Sequence, residues 1–316
     1  MKKPMNSIQG LAVSLLLVGL GSAACGPKSE DPEKISPSAA ALAALKPDFP
    51  FRGKIVFQSD ADGDDDIYRM TSGGIRKLTA NSWSDRYPRW SPDGTRIAFS
   101  ANPGGRFGIF VMNEDGSDIK AVVDAPADAT EPAWFPDGRA LAFTRDEALW
   151  KIDLAAGKES RIVPDFPAAH GLSDFSPAAP LAAFTGSRSP GWDVFVLDPS
   201  PGGNRAAALT IGGLSCRPRF SSDGKKIAYV SSSADGKGDI WTMNPDGSGK
   251  TRLTERDATS DYYPAWSPDG KYIAFSSSLQ HFSNQGRWSL YLVKVESRRV
   301  TLLFSGFERV LFPDWH

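Results

Sequence analysis

Trp90–Ser100 reads "WSPDGTRIAFS". An aromatic residue, a Ser-Pro-Asp-Gly turn and a run of apolar β-formers outline a hairpin. Pro pre-sets φ at the second turn position, Asp suits the third, and Gly takes the positive φ that closes the turn. The pattern returns as "WFPDGRALAFT" from Trp134, "FSSDGKKIAYV" from Phe220 and "WSPDGKYIAFS" from Trp266. A degenerate copy, "FSPAAPLAAFT", begins at Phe175 and has lost the Asp-Gly. The turn aromatics Trp90, Trp134, Phe175, Phe220, Trp266 and Trp315 are spaced by 44, 41, 45, 46 and 49 residues. Such a period, filled with short strands, predicts propeller blades rather than a helical solenoid.

Each unit reads as four strands. The first runs through "YPRW", "EPAW" or "YYPAW" and ends at the aromatic, with Pro expected where the strand opens. The second, such as "RIAF" or "KIAY", is nearly continuous apolar sequence, as expected of a strand packed on both faces. A polar loop leads to a third strand ("DIYRM", "GIFVM", "DIWTM"), and a turn such as "NPDGS" leads to an outer strand ending "RKLT" or "TRLT". Thr and charges suit that exposed edge.

The order at the two ends closes the ring. "KIVFQS", "DIYRM" and "RKLT" supply second, third and fourth strands, and "FPDWH" supplies only a first. The expected fold is therefore all-β, a six-bladed β-propeller of four-stranded blades, closed by three N-terminal strands plus one C-terminal strand. The unit around Asp153 reads as short and weak in its outer half.

Composition fits a globular domain, with 41% hydrophobic and 23% charged residues, and 24 Pro and 30 Gly mark many tight turns. No basic run or stripe appears, which argues against nucleic acid as a partner. The first residues combine "MKK", the ten-residue apolar run Leu11–Leu20 and the small residues Gly21–Ala24. A helix of that length spans only about 15 Å, half a bilayer core, so the segment reads as a secretory signal. Cys25 follows at once, in a layout that resembles a bacterial lipobox, with Ser22 where Leu is usual. That resemblance implies a lipoprotein signal peptide over 1–24, lipidation of Cys25, and a membrane partner through that lipid. Gly26, in place of Asp, resembles an outer-membrane sorting pattern, with a periplasmic or surface-facing domain. Residues 25–50, rich in Pro, Ser and Ala, read as a flexible linker, and residues 51–316 as the propeller. Loss of the signal removes Lys2 and Lys3 and leaves 34 basic against 37 acidic residues, a net charge of −3. With Cys25 acylated, Cys216 has no disulfide partner and is expected to be a small buried residue.

The repeated P-x-W-S-P-D-G-x-x-I-A-F, followed by D-I-Y-x-M and x-x-L-T, resembles the TolB-type WD40-like β-propeller repeat. The resemblance spans residues 51–316, and five of six units match well. It implies six blades, export and a propeller used for protein contact; it does not imply an activity. TolB-type proteins also carry an α/β domain ahead of the propeller, where this chain has only the linker.

Candidate chemistry is sparse. In "DADGDDDIY", Asp60, Asp62, Asp64 and Asp66 alternate around Gly63, a spacing that suits a hard cation such as Ca²⁺. An ordinary inter-strand loop explains them equally, because "SADGKGDIW" aligns there with Lys237 at one of those positions. No G-x-S-x-G elbow is present. Metal lyases of the oligogalacturonate type use similar repeats but need several His around one ion, and His170, His281 and His316 are the only three. Loops entering the first strands converge on one mouth of the channel. That places Asp85, Arg86, Tyr87, Glu131, His170, Arg217, Asp261, Tyr262 and Arg309 as candidate binding residues. The repeated Trp and Phe read as blade packing, not as sugar platforms.

These readings favour a non-enzymatic, monomeric envelope lipoprotein, with no cofactor, whose propeller is a scaffold for envelope proteins. The alternative is a glycan-binding or metal-dependent polysaccharide lyase-like propeller acting at the channel mouth.

Overall fold

The computed structural model describes residues 51–124, 127–162, 171, 173–187, 191–200, 206–256, 258–279 and 286–316. The signal segment, Cys25, the linker, His170 and His281 lie outside the described residues.

Six antiparallel sheets of four strands form a ring. Blade 1 comprises β1 (Ile55–Ser59), β2 (Asp66–Thr71) and β3 (Gly74–Lys77), completed by β24 (Leu311–Trp315) on its inner edge. Blade 2 holds β4 (Asp85–Trp90), β5 (Arg96–Ala101), β6 (Gly108–Asn113) and β7 (Lys120–Val123). Blade 3 holds β8 (Thr130–Trp134), β9 (Ala140–Arg145), β10 (Ala148–Asp153) and β11 (Lys158–Arg161). Blade 4 holds β12 (Asp174–Phe175), β13 (Ala182–Gly186), β14 (Asp193–Leu197) and β15 (Ala207–Ala208). Blade 5 holds β16 (Ser215–Phe220), β17 (Ile227–Ser231), β18 (Asp239–Met243) and β19 (Thr251–Arg252). Blade 6 holds β20 (Ser260–Trp266), β21 (Tyr272–Ser278), β22 (Trp288–Lys294) and β23 (Val300–Phe304). The outer hairpin of blade 3, read as weak from its sequence, is complete. Blade 4 is the thin one, with two-residue inner and outer strands.

The closure is as the sequence predicts. Ile55 pairs with Trp315, and Lys54 and His316 exchange backbone hydrogen bonds of 2.6 and 2.9 Å. The core lies between blades. Phe57 of β1 packs towards Leu290 and Leu292 of blade 6, and its neighbour Val56 packs towards Trp90, Ile97 and Phe99 of blade 2. Successive residues of a strand face opposite sides, so a strand wedged between two blades is apolar throughout.

Two repeated motifs acquire physical roles. In "SPDG", Ser91 Oγ donates to Asp93 Oδ1 at 2.6 Å, the Thr95 N–H donates to the same oxygen at 3.1 Å, and Gly94 takes φ 67°. In "DIY…LT", the Thr79 hydroxyl accepts from the Ile67 N–H at 2.9 Å and donates to Asp66 Oδ1 at 3.0 Å. Thr210 repeats this with Val194 and Asp193, and Thr254 with Ile240 and Asp239. The clasp satisfies the N–H of the third strand's second residue, where that strand outruns the fourth.

Candidate functional site

The channel wall is set by a departure from the expected strand. Pro88 does not open β4; it lies inside it. Arg86 pairs with Ser100 and Arg89 with Ala98, so Tyr87 and Pro88 together face one residue in a β-bulge. A proline has no N–H to pair, and the bulge removes the demand for one. Shifts of the same kind fall between Thr130 and Ala133, Cys216 and Arg219, and Tyr262 and Ala265.

The residue before the proline is left-handed in these four strands and in β24, which carries the same shift between Leu311 and Asp314: Tyr87 (φ 57°), Glu131 (58°), Arg217 (58°), Tyr263 (59°) and Phe312 (52°). For residues with bulky side chains this conformation costs about 1–3 kcal/mol each and persists only where the surroundings fix it. Neighbouring blades help fix it. The N–H groups of Tyr87, Glu131 and Arg217 donate to Gln58 Oε1, Ser100 Oγ and Thr185 Oγ1 at 3.0, 3.1 and 2.9 Å.

All five side chains line the end of the channel where the first strands begin, and they nearly fill it. Tyr87 meets Phe312 edge-on at 4.5 Å, Phe312 meets Tyr263 at 3.9 Å, and the Arg217 guanidinium lies 4.6 Å over the Tyr263 ring. The space left is about 30 Å³, room for little more than a water molecule. Of the predicted mouth residues, Tyr87, Glu131 and Arg217 are thus brought together. Asp85 and Asp261 are buried beneath the loops instead, hydrogen-bonded to Asn81 at 2.7 Å and Ser277 at 2.6 Å. Burial pushes Asp85 up to about 6. Arg86 pairs with Asp65 at 2.7 Å, Arg309 with Asp60 at 3.2 Å, and Tyr262 packs edge-on against Trp288. Cys216 is half-buried rather than buried, its Sγ accepting from Arg217 at 3.0 Å.

One layer further in lies a belt that sequence reading missed. The residue just before each turn aromatic reads, in chain order, Arg89, Ala133, Asp174, Arg219, Ala265 and Asp314. The same trio of types therefore appears twice around the ring. Arg219 reaches from blade 5, past Ala265, to donate from Nη2 to Asp314 Oδ1 in blade 1. Arg89 reaches from blade 2, past Ala133, to donate to the Ser173 carbonyl in blade 4 at 3.0 Å, with Nη1 3.6 Å from Asp314 Oδ1. Each carboxylate also accepts a backbone N–H from the next blade, Asp314 from Trp90 at 2.6 Å and Asp174 from Phe220 at 2.7 Å. Burial pushes Asp174 up to about 7 and Asp314 up to about 6, against the pull of the Arg89 guanidinium on both. Alignment of "PRW", "PAW", "SDF", "PRF", "PAW" and "PDW" would have exposed the belt, and alignment on the prolines would have exposed Tyr263 and Phe312.

Beyond the belt the channel widens into a funnel of about 380 Å³, bounded by the turn aromatics and rimmed by Pro92, Pro136, Pro177, Ser222 and Pro268. The aromatics are packing residues, as expected: Trp90, Trp134, Phe175, Phe220 and Trp266 are all buried. The indole N–H groups of Trp134 and Trp266 donate to the carbonyls of Arg89 and Arg219 in the preceding blades, at 3.1 and 3.0 Å.

The acidic loop of blade 1 brings Asp62, Asp64 and Asp66 together, while Asp60 pairs with Arg309. The cluster already holds a cation. Lys77 Nζ contacts Asp62 Oδ2 and lies 2.7 Å from Asp66 Oδ2. Arg252 does the same in blade 5, 2.6 Å from Asp235 and 2.7 Å from Asp239. Burial pushes Asp66 up to about 8, partly offset by Lys77.

Comparison with known proteins agrees with this architecture. Residues 71–165 match the family model described as PD40, TolB beta propeller domain. A protein TolB homolog of Chlorobium luteolum is 32% identical over 206 residues, covering 64% of this chain and 47% of the relative. The chain thus spans about half the length of that relative. An uncharacterized protein of Agrobacterium fabrum, Atu1656, is 30% identical over 226 residues, 68% of this chain and 71% of its own length. Among solved structures, TolB from Acinetobacter baumannii superposes with a TM-score of 0.70 at 20% identity, over 84% of this chain and 67% of that one, a likeness of fold. With its repeat, its six blades and these relatives, the chain belongs to the family of TolB-type β-propeller proteins.

Proposed function

We propose that the protein is a non-enzymatic envelope lipoprotein, exported by the signal in 1–24 and held to the outer membrane through Cys25. Its propeller serves as a scaffold that binds another envelope protein at the wide funnel. The observation that carries this reading is the asymmetry of the channel, packed with side chains at one end and open as a 380 Å³ funnel at the other. Its entrance is a ring of exposed turn residues on rigid hairpins, which suits recognition of a protruding protein segment. Family membership supports a contact role, and the relatives that carry the TolB name point to the envelope.

Capture from detergent-solubilised envelope tests the reading. The full-length protein retains a specific partner, Ser222→Trp at the funnel rim loses it, and Glu131→Gln at the packed end keeps it. Binding or cleavage of pectic or peptidoglycan fragments, with no protein captured, would replace this reading with the glycan alternative. Sensitivity of cleavage to chelator would then point to the metal lyase.

A further inference from the structure

The funnel floor has a one-sided hydrogen-bonding demand. Arg89 Nη1, Arg219 Nε and Trp90 Nε1 are buried and have no hydrogen-bond partner among the described residues. All three are donors. Trp90 differs in this from Trp134 and Trp266, whose indole N–H groups are satisfied by the preceding blade. Three of the four carboxylate oxygens beside them are engaged. Asp314 Oδ1 and Oδ2 take Arg219 and the Trp90 backbone N–H, and Asp174 Oδ2 takes the Phe220 N–H. Asp174 Oδ1 lies 3.6 Å from Arg219 Nε, beyond hydrogen-bonding range.

A buried donor without an acceptor costs about 1–3 kcal/mol, more when it is charged. A ligand that brings acceptors and negative charge recovers that cost, and a planar carboxylate fits a guanidinium fork best. A sugar hydroxyl brings its own donor, and a cation brings no acceptor to the three unpaired donors. The rim prolines and indole edges offer apolar contact to the backbone carrying the acid. We propose that the floor of the funnel is a carboxylate site that takes an Asp or Glu side chain of a protein segment entering from the wide end. It rests on the scaffold reading above and names the chemistry that the scaffold recognises.

Electrostatics accommodate the added anion. Two arginines face two aspartates, so a third carboxylate competes with Asp174 for Arg219. Asp174, whose surroundings include Arg89, Arg219 and Asp314, with His316 beside the latter, is already pushed towards its protonated form by burial. Removing its charge should therefore help the ligand, whereas removing an arginine should hurt it.

The test uses the full-length protein labelled with ¹⁵N, with the Trp90 indole N–H resonance assigned by Trp90→Phe. The probes are acetyl-Pro-Glu-Pro-amide, its Gln counterpart and inorganic phosphate. The Glu peptide should shift the Trp90 indole signal, and the Gln peptide should bind about tenfold more weakly, the loss of one charge-assisted contact. Arg219→Gln should weaken the Glu peptide by a similar factor and Asp174→Asn should tighten it. These opposite directions cannot both come from general loosening of the fold. Equal binding of Glu and Gln peptides, a response to phosphate but not to the Glu peptide, or weaker binding by Asp174→Asn would each overturn the proposal. An envelope partner captured normally by Arg219→Gln would defeat the carboxylate site and leave the scaffold reading standing. Glu-selective peptide binding without any captured partner would do the reverse.

Discussion

Arg219 and Asp314 lie 95 residues apart in sequence and meet across the central channel, in a hydrogen bond that links the fifth blade to the blade that closes the ring. Asp314 sits on β24, so the residue that helps fasten the ring also anchors the channel belt. Arg219→Gln strips Asp314 of its hydrogen-bonded cation, with Arg89 left 3.6 Å away. Breaking a buried pair on one side is expected to cost about 3 kcal/mol, measured by urea unfolding. Arg89→Gln with Arg219→Gln should cost less than the sum of the singles, because both arginines serve one carboxylate.

Deleting Phe312–His316 removes most of β24 and leaves the inner edge of β1 unpaired. The truncated chain should lose most of its cooperative thermal transition, read by circular dichroism. A transition matching that of the intact chain would sink the closure.

Stability should fall as pH rises from about 5 to about 7.5. Asp174 and Asp314 carry folded-state values of about 7 and about 6, raised by burial above the ordinary 3.8. Between the ordinary and folded values the native chain holds more protons than the unfolded chain, so raising the pH favours unfolding there. Asp85 and Asp239, both buried and pushed up to about 6, add in the same direction. Asp93 works the other way, held at about 2 by the Ser91 hydroxyl, but its contribution is lost only as the pH falls from 3.8 towards 2. Urea midpoints across the range give the slope, and Asp174→Asn should flatten it. A midpoint that climbs with pH would refute the assigned cause.

Calcium should leave the thermal midpoint of the wild-type protein unmoved, because the Lys77 ammonium occupies the space between Asp62 and Asp66. Lys77→Gln should lower the midpoint without calcium and recover part of the loss with it. Recovery in the wild type as well would show that the ion displaces Lys77.

The clasp formed by Thr254 predicts a smaller effect. Thr254→Val leaves the Ile240 N–H and Asp239 without the hydroxyl that serves both. The expected loss is about 1–3 kcal/mol by chemical denaturation.

The ring was legible because a propeller writes the same hairpin many times. Trp90, Trp134, Phe220 and Trp266 share a turn, and each apolar second strand declares its burial between two blades. The blade 4 unit at Phe175 was visible as degenerate, and its inner strand is indeed the shortest of the six, while its outer strand is matched in shortness only by that of blade 5. The channel was harder to read. Pro88 looked like a strand opener because sequence pattern does not show a bulge, and the bulge decides that Tyr263, not Tyr262, faces inwards. Asp85 and Asp261 looked like mouth residues because charge suggests exposure, yet both are fully buried beside hydroxyl and amide partners. The belt escaped notice because its members are ordinary within each blade; only comparison across blades reveals Arg, Ala and Asp recurring in step.

The belt, together with the aromatic side chains above it, makes the propeller a cup and not a pipe. Whatever enters the funnel must back out through the doorway it used. The packed end leaves room for little more than a water molecule, so among the described residues the lip of the cup is the way in for any larger body.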